Sequence, residues 1–394
     1  MTDVCIIGGG IIGLSIAREL AGRGLSVRVL SRETGRDTAS WAAAGIFPPA
    51  PRYAGMPPGD ELTAWSDELH REWARDLLEE TGIDNGLREC GGLHVAADAD
   101  AVARLTADAR GWTAKGIRCE RLDAAALAAL EPALAEAVAR GRIVAGFLLP
   151  AEMQIRPPRL LQALRRSCLS RGVRLDEGAE VRDVVVRGGR AEAVVAEAGG
   201  RAEAVPAGHY VLAAGAWSGR LAESLGLRLA TRPIRGQIAL LRLPRQTLTR
   251  VVNRGLAYLV PREDGRLLAG STIEDAGFDA TTTPAAIDGL LRMVHDLLGE
   301  IGDATLEQSW AGLRPGSPDG LPFIGRSPAC DNAFVAAGHF RAGLHQSTGT
   351  AVLVADMICR NPTAIDAAAF APDRMPGTND AVGEYLARAT AEAT

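Results

Sequence analysis

Val4-Cys5-Ile6-Ile7-Gly8-Gly9-Gly10-Ile11-Ile12-Gly13 places glycines at G-x-G-x-x-G spacing between an apolar run and a helix-forming segment. Gly8 permits a tight turn, Gly10 lets a pyrophosphate approach the backbone, and Gly13 lets the helix pack closely on the strand. The helix expected from about Ile12 to Arg23 would offer free N–H groups and the positive end of its dipole to phosphates. A second strand, expected at Ser26–Leu30, completes the context; a plain glycine turn in a βαβ unit is the bland alternative. The acid that would bind the ribose hydroxyls is missing, because Ser31 stands in its place and Glu33 comes two positions late. Ser31-Arg32 would suit a 2′-phosphate instead.

The chain has 394 residues, 47% of them hydrophobic, which leaves room for two domains or for one large fold carrying an insertion. A net charge of −5 supplies no basic excess, which argues against a nucleic-acid binder. Arginines are many and interspersed with acids, as on a mixed-charge surface. The six cysteines show no CxxC pair or metal-ligand spacing and read as reduced thiols. No apolar run reaches membrane-spanning length, and no charged leader precedes the first strand. A soluble, cytoplasmic protein is expected.

Periodicity outlines the rest. Helices are expected at Glu61–Thr81, Asp98–Lys115, Asp123–Leu130, Arg159–Arg171 (opened by Pro157 and Pro158), Ala285–Gly299 and Gly349–Arg360. Strands are expected at Gly91–Ala96, Val173–Leu175, Glu180–Arg187, Glu192–Glu197, His209–Gly215, Gly236–Leu243, Leu256–Val260, Arg266–Ser271 and Phe334–Gly338. Buried strands of nucleotide-binding character thus recur at separated places, implying an α/β fold whose discontinuous Rossmann-like domain is threaded by a strand-rich one.

A series of segments then occurs in one order: the opening loop, Ser40-Trp41-Ala42-Ala43-Ala44-Gly45, Ala213-Ala214-Gly215-Ala216-Trp217-Ser218, Tyr258-Leu259-Val260-Pro261-Arg262, Trp310-Ala311-Gly312-Leu313-Arg314-Pro315 and Gly338-His339-Phe340-Arg341-Ala342-Gly343. The series resembles the FAD-dependent D-amino-acid oxidase family, and within it the glycine oxidases that supply thiamine biosynthesis, from residue 2 to about 375. The resemblance implies an FAD-binding Rossmann-like domain over 1–86, 148–226 and 314–376. It implies a mixed-sheet α+β substrate domain over 87–147 and 227–313, with 377–394 left as a tail.

For the cofactor, the resemblance implies contacts from Gly8, Gly10, Ile11, Ile12 and Gly13, flanked by Ala39 and Ser40, with Ser31 and Arg32 at the ribose. Ala44, Gly45 and Ile46 would set backbone amides beside the isoalloxazine, and Val181 would reach the adenine through its backbone. Gly215 and Trp217 join this set, as do His339, Phe340, Arg341, Ala342, Gly343, Leu344 and His345 around the ribityl and pyrimidine side. A flavin's acceptors are well met by N–H groups in loops of small residues, although such runs also serve close helix–sheet packing.

For the substrate, Arg314 is the leading residue, since a guanidinium grips a carboxylate with two parallel hydrogen bonds. The alternative is an internal salt bridge. The resemblance lays Tyr258 over the substrate, the alternative being a core tyrosine, and puts Arg341 near both flavin and substrate. Gly236 and Gln237 would approach the site and Ile273 would line the pocket. Tyr258 and Arg314 are the candidate catalytic residues. Two departures, Leu256 and Ala342, make the pocket less polar than in some glycine oxidases, where histidine and asparagine stand. His345 maps to a flavin contact and alternatively satisfies a local hydrogen bond.

The implied reaction is oxidative deamination of glycine or a related small amino acid or amine. Hydride passes from the α-carbon to flavin N5, and oxygen then takes the electrons as peroxide. No metal-ligand cluster competes. With Gly312 and Leu313 where relatives place a tethering cysteine, and Cys330 lying beyond, FAD is expected to be non-covalent. A dehydrogenase of the same fold using another acceptor, and a non-catalytic NADP-binding protein, are the alternatives. A homo-oligomer is left open.

Overall fold

The computed structural model describes residues 2–32, 38–375 and 380–393. Glu33, the late acid, lies outside the described residues. A six-stranded sheet runs in the order Phe323–Arg326, Ala333–Ala337, Ala207–Leu212, Thr2–Ile7, Val27–Ser31, Arg174–Glu177, and all its pairings are parallel except the first. The chain enters at Thr2–Ile7, in the interior of that order, and strands are added on both sides. The strand order reverses there, which opens a crevice at the carboxyl ends where ligands of such sheets bind.

The strands are apolar on both faces because both are covered. One face packs on helices Ile11–Gly22, Pro58–Thr81, Pro157–Ser170 and Ser347–Cys359 through Ile6, Leu14, Leu62, Leu164 and Leu353. The other packs on an antiparallel sheet of Glu180–Arg187, Arg190–Ala198 and Arg201–Val205 through Leu30, Val184 and Val194.

A second, eight-stranded sheet has the order Thr305–Gly316, Arg232–Arg242, Arg266–Gly270, Ala257–Pro261, Val251–Arg254, Gly92–Ala96, Ala145–Leu149, Glu120–Asp123. It is antiparallel but for the pairing of Val251–Arg254 with Gly92–Ala96. Helix Pro284–Leu298 covers one face through Leu290, Val294 and Leu297 against Leu93, Val252 and Leu259. The opposite face looks onto the nucleotide-binding half. Two of these strands, Ala145–Leu149 and Thr305–Gly316, run through the expected boundaries at 147 and 313.

Most element ends fall within a few residues of expectation. The helix expected from Arg159 starts at Pro157, because both prolines occupy its first turn, where no N–H partner is needed. The expected tail carries a helix, Ala381–Ala393. No helix among the described residues is long and apolar enough to cross a membrane.

Candidate active site

A cavity of about 900 Å³ lies between the crevice of the first sheet and the open face of the second. At its nucleotide end the backbone carries the geometry. Gly8 adopts φ +120°, and a Cβ there would sit 2.3 Å from the Ala213 carbonyl oxygen; one on Gly13 would sit 1.9 Å from the Gly8 carbonyl oxygen. Helix Ile11–Gly22 follows Gly10 with no acid in its first turn, and the Ile11 N–H donates to Ser40 Oγ at 2.9 Å. A helix start of this kind, closed only by a hydroxyl, favours an anion. Ser31 ends its strand against Gly9, while Arg32 lies 4.3 Å over the Trp217 ring.

Gly8, Gly10, Ile11, Ile12, Ser31, Arg32, Ala39, Ser40, Val181, Gly215 and Trp217 all line this end of the cavity. Ala44, Gly45 and Ile46 line its middle, as do His339, Phe340, Arg341, Ala342, Gly343, Leu344 and His345. Gly13 is not on the wall; it packs beneath the glycine turn.

The Ala42–Ile46 loop is held from the second sheet. Trp310 Nε1 donates to the Ala42 carbonyl at 3.0 Å, and a Cβ on Gly312 would sit 2.6 Å from the Ala42 Cβ. Arg262, buried, donates to the Ala44 carbonyl at 2.8 Å, the Gln154 side chain at 2.6 Å and the Ile155 carbonyl at 3.1 Å. Burial first, then the neighbouring Arg156, pulls its pKa down to about 10, with Asp264 opposing. Arg262 stood within a motif of the sequence with no role attached; only the fold brings it under this loop.

On the substrate side, Trp310, Ile238, Gly270, Tyr258, Asn253 and His94 are successive cross-strand partners. Residues in register point to one face of a sheet, and Gly312 and Arg314 share it by their two-residue spacing from Trp310. Glycines clear the floor here. A Cβ on Gly236 would lie 2.3 Å from the Arg314 guanidinium, and one on Gly270 would lie 2.8 Å from the Tyr258 ring. Arg314 donates to Ser271 Oγ at 2.6 Å and more weakly to the Thr272 carbonyl at 3.4 Å. It makes no ion pair with any described acid, so the internal salt bridge considered above does not form. Burial raises the phenol pKa of Tyr258, with Arg314 and Ser271 pulling the other way.

Tyr258, Arg314, Arg341 and Gly236 line the cavity; Ile273 does not. Its neighbours Thr272 and Glu274 bond back to the Gln237 and Arg235 backbone. Gln237 is likewise spent on Glu274 and Thr283. His345 stacks 4.3 Å from the Phe47 ring and bonds Asp67 at 2.8 Å while also standing on the cavity wall. His339 bonds Thr350 at 3.0 Å, and burial lowers its pKa to about 3, which keeps it neutral. Tyr385, from the C-terminal helix, also reaches the wall, with Arg341 4.6 Å over its ring. Nothing local in the sequence marked it, because its helix is joined to the site only by tertiary packing.

These walls fit FAD: a glycine turn and helix start for the pyrophosphate, a loop of small residues for the ring, and a cavity in the size range of small-molecule sites. Among the described residues no group of acids, histidines and cysteines could hold a metal.

The chain matches the model of the DAO family, FAD-dependent oxidoreductases, over residues 3–357. It is 36% identical to the glycine oxidase of Pseudomonas aeruginosa, over 94% of this chain and 98% of that one. It is also 36% identical to the bifunctional protein ThiO/ThiG of Synechocystis, over 96% of this chain and 55% of that longer one. The crystal structure of glycine oxidase from Geobacillus kaustophilus superposes with a TM-score of 0.87 at 33% identity, covering 95% of this chain and 99% of that one. The chain belongs to the DAO family of FAD-dependent oxidoreductases, and FAD is its cofactor.

Proposed function

We propose that this FAD-dependent amino-acid oxidase deaminates glycine or a related small amino acid or amine, releasing the oxo acid, ammonia or amine, and hydrogen peroxide. One observation carries the reading. Arg314 stands on the cavity wall without an acidic partner among the described residues, beside the Tyr258 hydroxyl and over a glycine that leaves it room. An arginine so placed is completed by a carboxylate from outside the chain.

Arg314 would take the substrate carboxylate, and Tyr258, held protonated by burial, would donate a further hydrogen bond to it. Two fixed points on one sheet face set the α-carbon's orientation, which is the main task left to the protein. Arg341, with Tyr385 beneath it, would bound the other side of the pocket. The glycine turn, the Ile11 helix start and the Ala42–Ile46 loop would hold FAD non-covalently; none of the six cysteines lines the cavity. When bound, FAD would supply a two-electron acceptor for the α-hydride, with oxygen as the final acceptor. Released imino acid then hydrolyses in water.

The likeness to glycine oxidase and to ThiO/ThiG supports glycine as a substrate and a place in thiamine biosynthesis. A cytoplasmic location belongs to the same proposal, supported by the free thiols. The test is a panel of glycine, sarcosine and small D-amino acids, scored by anaerobic bleaching of the flavin and then by peroxide on admitting air. Bleaching with peroxide is expected. Bleaching without peroxide would make the chain a dehydrogenase with another acceptor, and no bleaching by any of them would overturn the proposal.

A further inference from the structure

Another group sits on the same sheet face and is not used by the chemistry above. Asn253 pairs across the strands with Tyr258 on one side and with His94 on the other. At the usual strand spacing they stand roughly 5 and 10 Å from the tyrosine. Over them lies Glu152, whose side chain is 1% exposed. Its carboxylate accepts from Asn253 Nδ2 at 2.9 Å and shares a 3.1 Å hydrogen bond with His94 Nε2. Trp112 packs 4.8 Å from the His94 ring, and all these side chains line the cavity.

The packing is built for the carboxylate: a Cβ on Gly92 would fall 2.2 Å from Glu152 Oε1. Among the described residues its carboxylate meets no arginine or lysine; its side-chain partners are His94 and Asn253. Nearby cations are spent elsewhere, Lys115 on Asp60 at 2.7 Å and Arg250 on Glu131 at 2.9 Å. A carboxylate kept from water beside an open cavity, and given no arginine or lysine, is a poor stabiliser of the fold and a good acceptor for a cation.

We infer that Glu152, with Asn253 and His94, forms a specificity subsite for a second, positively charged group on the substrate. Rested on the proposed oxidation, this makes the favoured substrates amino acids whose nitrogen or side chain carries an arm ending in an ammonium. The carboxylate goes to Arg314 and Tyr258, and the ammonium reaches along the sheet to Glu152.

The experiment compares kcat/KM of the holoenzyme for N-(2-aminoethyl)glycine, its uncharged isostere N-propylglycine, and N-(carboxymethyl)glycine. A charge-assisted hydrogen bond to a buried partner predicts a preference for the ammonium arm over the propyl arm of roughly tenfold to a hundredfold, with the acidic arm poorest. In Glu152→Gln and in Asn253→Ala that ratio should collapse towards one. Equal values for the ammonium and propyl arms in the unaltered enzyme, or a preference for the acidic arm, overturns the subsite. So does a ratio that survives Glu152→Gln. The unaltered enzyme decides the matter even where a variant does not fold. Binding is read separately, from anaerobic flavin difference spectra. Tighter binding of the ammonium arm without reduction by any amino acid would keep the subsite and sink the oxidation. Oxidation of both arms alike would do the reverse.

Discussion

Glycines line both walls of the cavity, for different reasons. At the nucleotide end, Gly8 holds a left-handed φ of +120° and lies against a backbone carbonyl that cannot retreat. On the eight-stranded sheet, Gly236 and Gly270 have no positive φ; there a Cβ would strike the Arg314 guanidinium or the Tyr258 ring, so their absence of a side chain lets those two lie flat. The first wall recognises its ligand with main chain, the second with side chains laid over bare floor. A family can therefore keep its cofactor while altering its substrate, by changing what stands on the floor.

The difference predicts unequal penalties. Gly8→Ala should be the most damaging, costing about 3 kcal/mol or more through strain and backbone overlap, so that purified protein is colourless or unfolded. Gly215→Ala is the control, with a positive φ of 56° but open space at its Cβ. It should cost only about 1 kcal/mol and retain flavin, as followed by thermal melts and absorbance. If the two behave alike, the distinction between overlap and strain at this wall is wrong.

Gly236→Ala should leave FAD content unchanged and displace the Arg314 guanidinium. The expected result is a loss of roughly tenfold to a hundredfold in kcat/KM for a carboxylate substrate. A normal kcat/KM would show that the glycine floor is not needed.

A further effect, gradual rather than abrupt, is on pH. His70 donates from the core to the Leu344 and His345 carbonyls, and burial first, then His345, lowers its pKa to about 3. The unfolded chain binds this proton below about pH 6.5, so the contribution is intact above that value and drains away on acidification. The slope is up to about 1.4 kcal/mol per pH unit. His70→Gln should flatten the decline of the melting temperature between about pH 6.5 and 4; parallel curves would contradict this.

The contrast between the walls also explains what could be read before the structure. The Gly8–Gly13 turn is local, so its spacing reported its geometry directly. Arg314 and Tyr258 were reached through motifs, but their place on one sheet face comes from the register of separate strands. His94, Glu152 and Asn253 had no mark of their own, since their meeting depends on strand register. Ile273, placed in the pocket by resemblance alone, is not among the residues that line the cavity. Tyr385 was lost in what read as a tail.

The central claim is that Arg314 fixes the substrate's carboxylate. Anaerobic titration of Arg314→Ala holoenzyme with the best amino acid of the panel tests it most directly. The account predicts normal FAD content and a flavin that bleaches only at concentrations at least about a hundredfold higher. Bleaching at the wild-type concentration would contradict it.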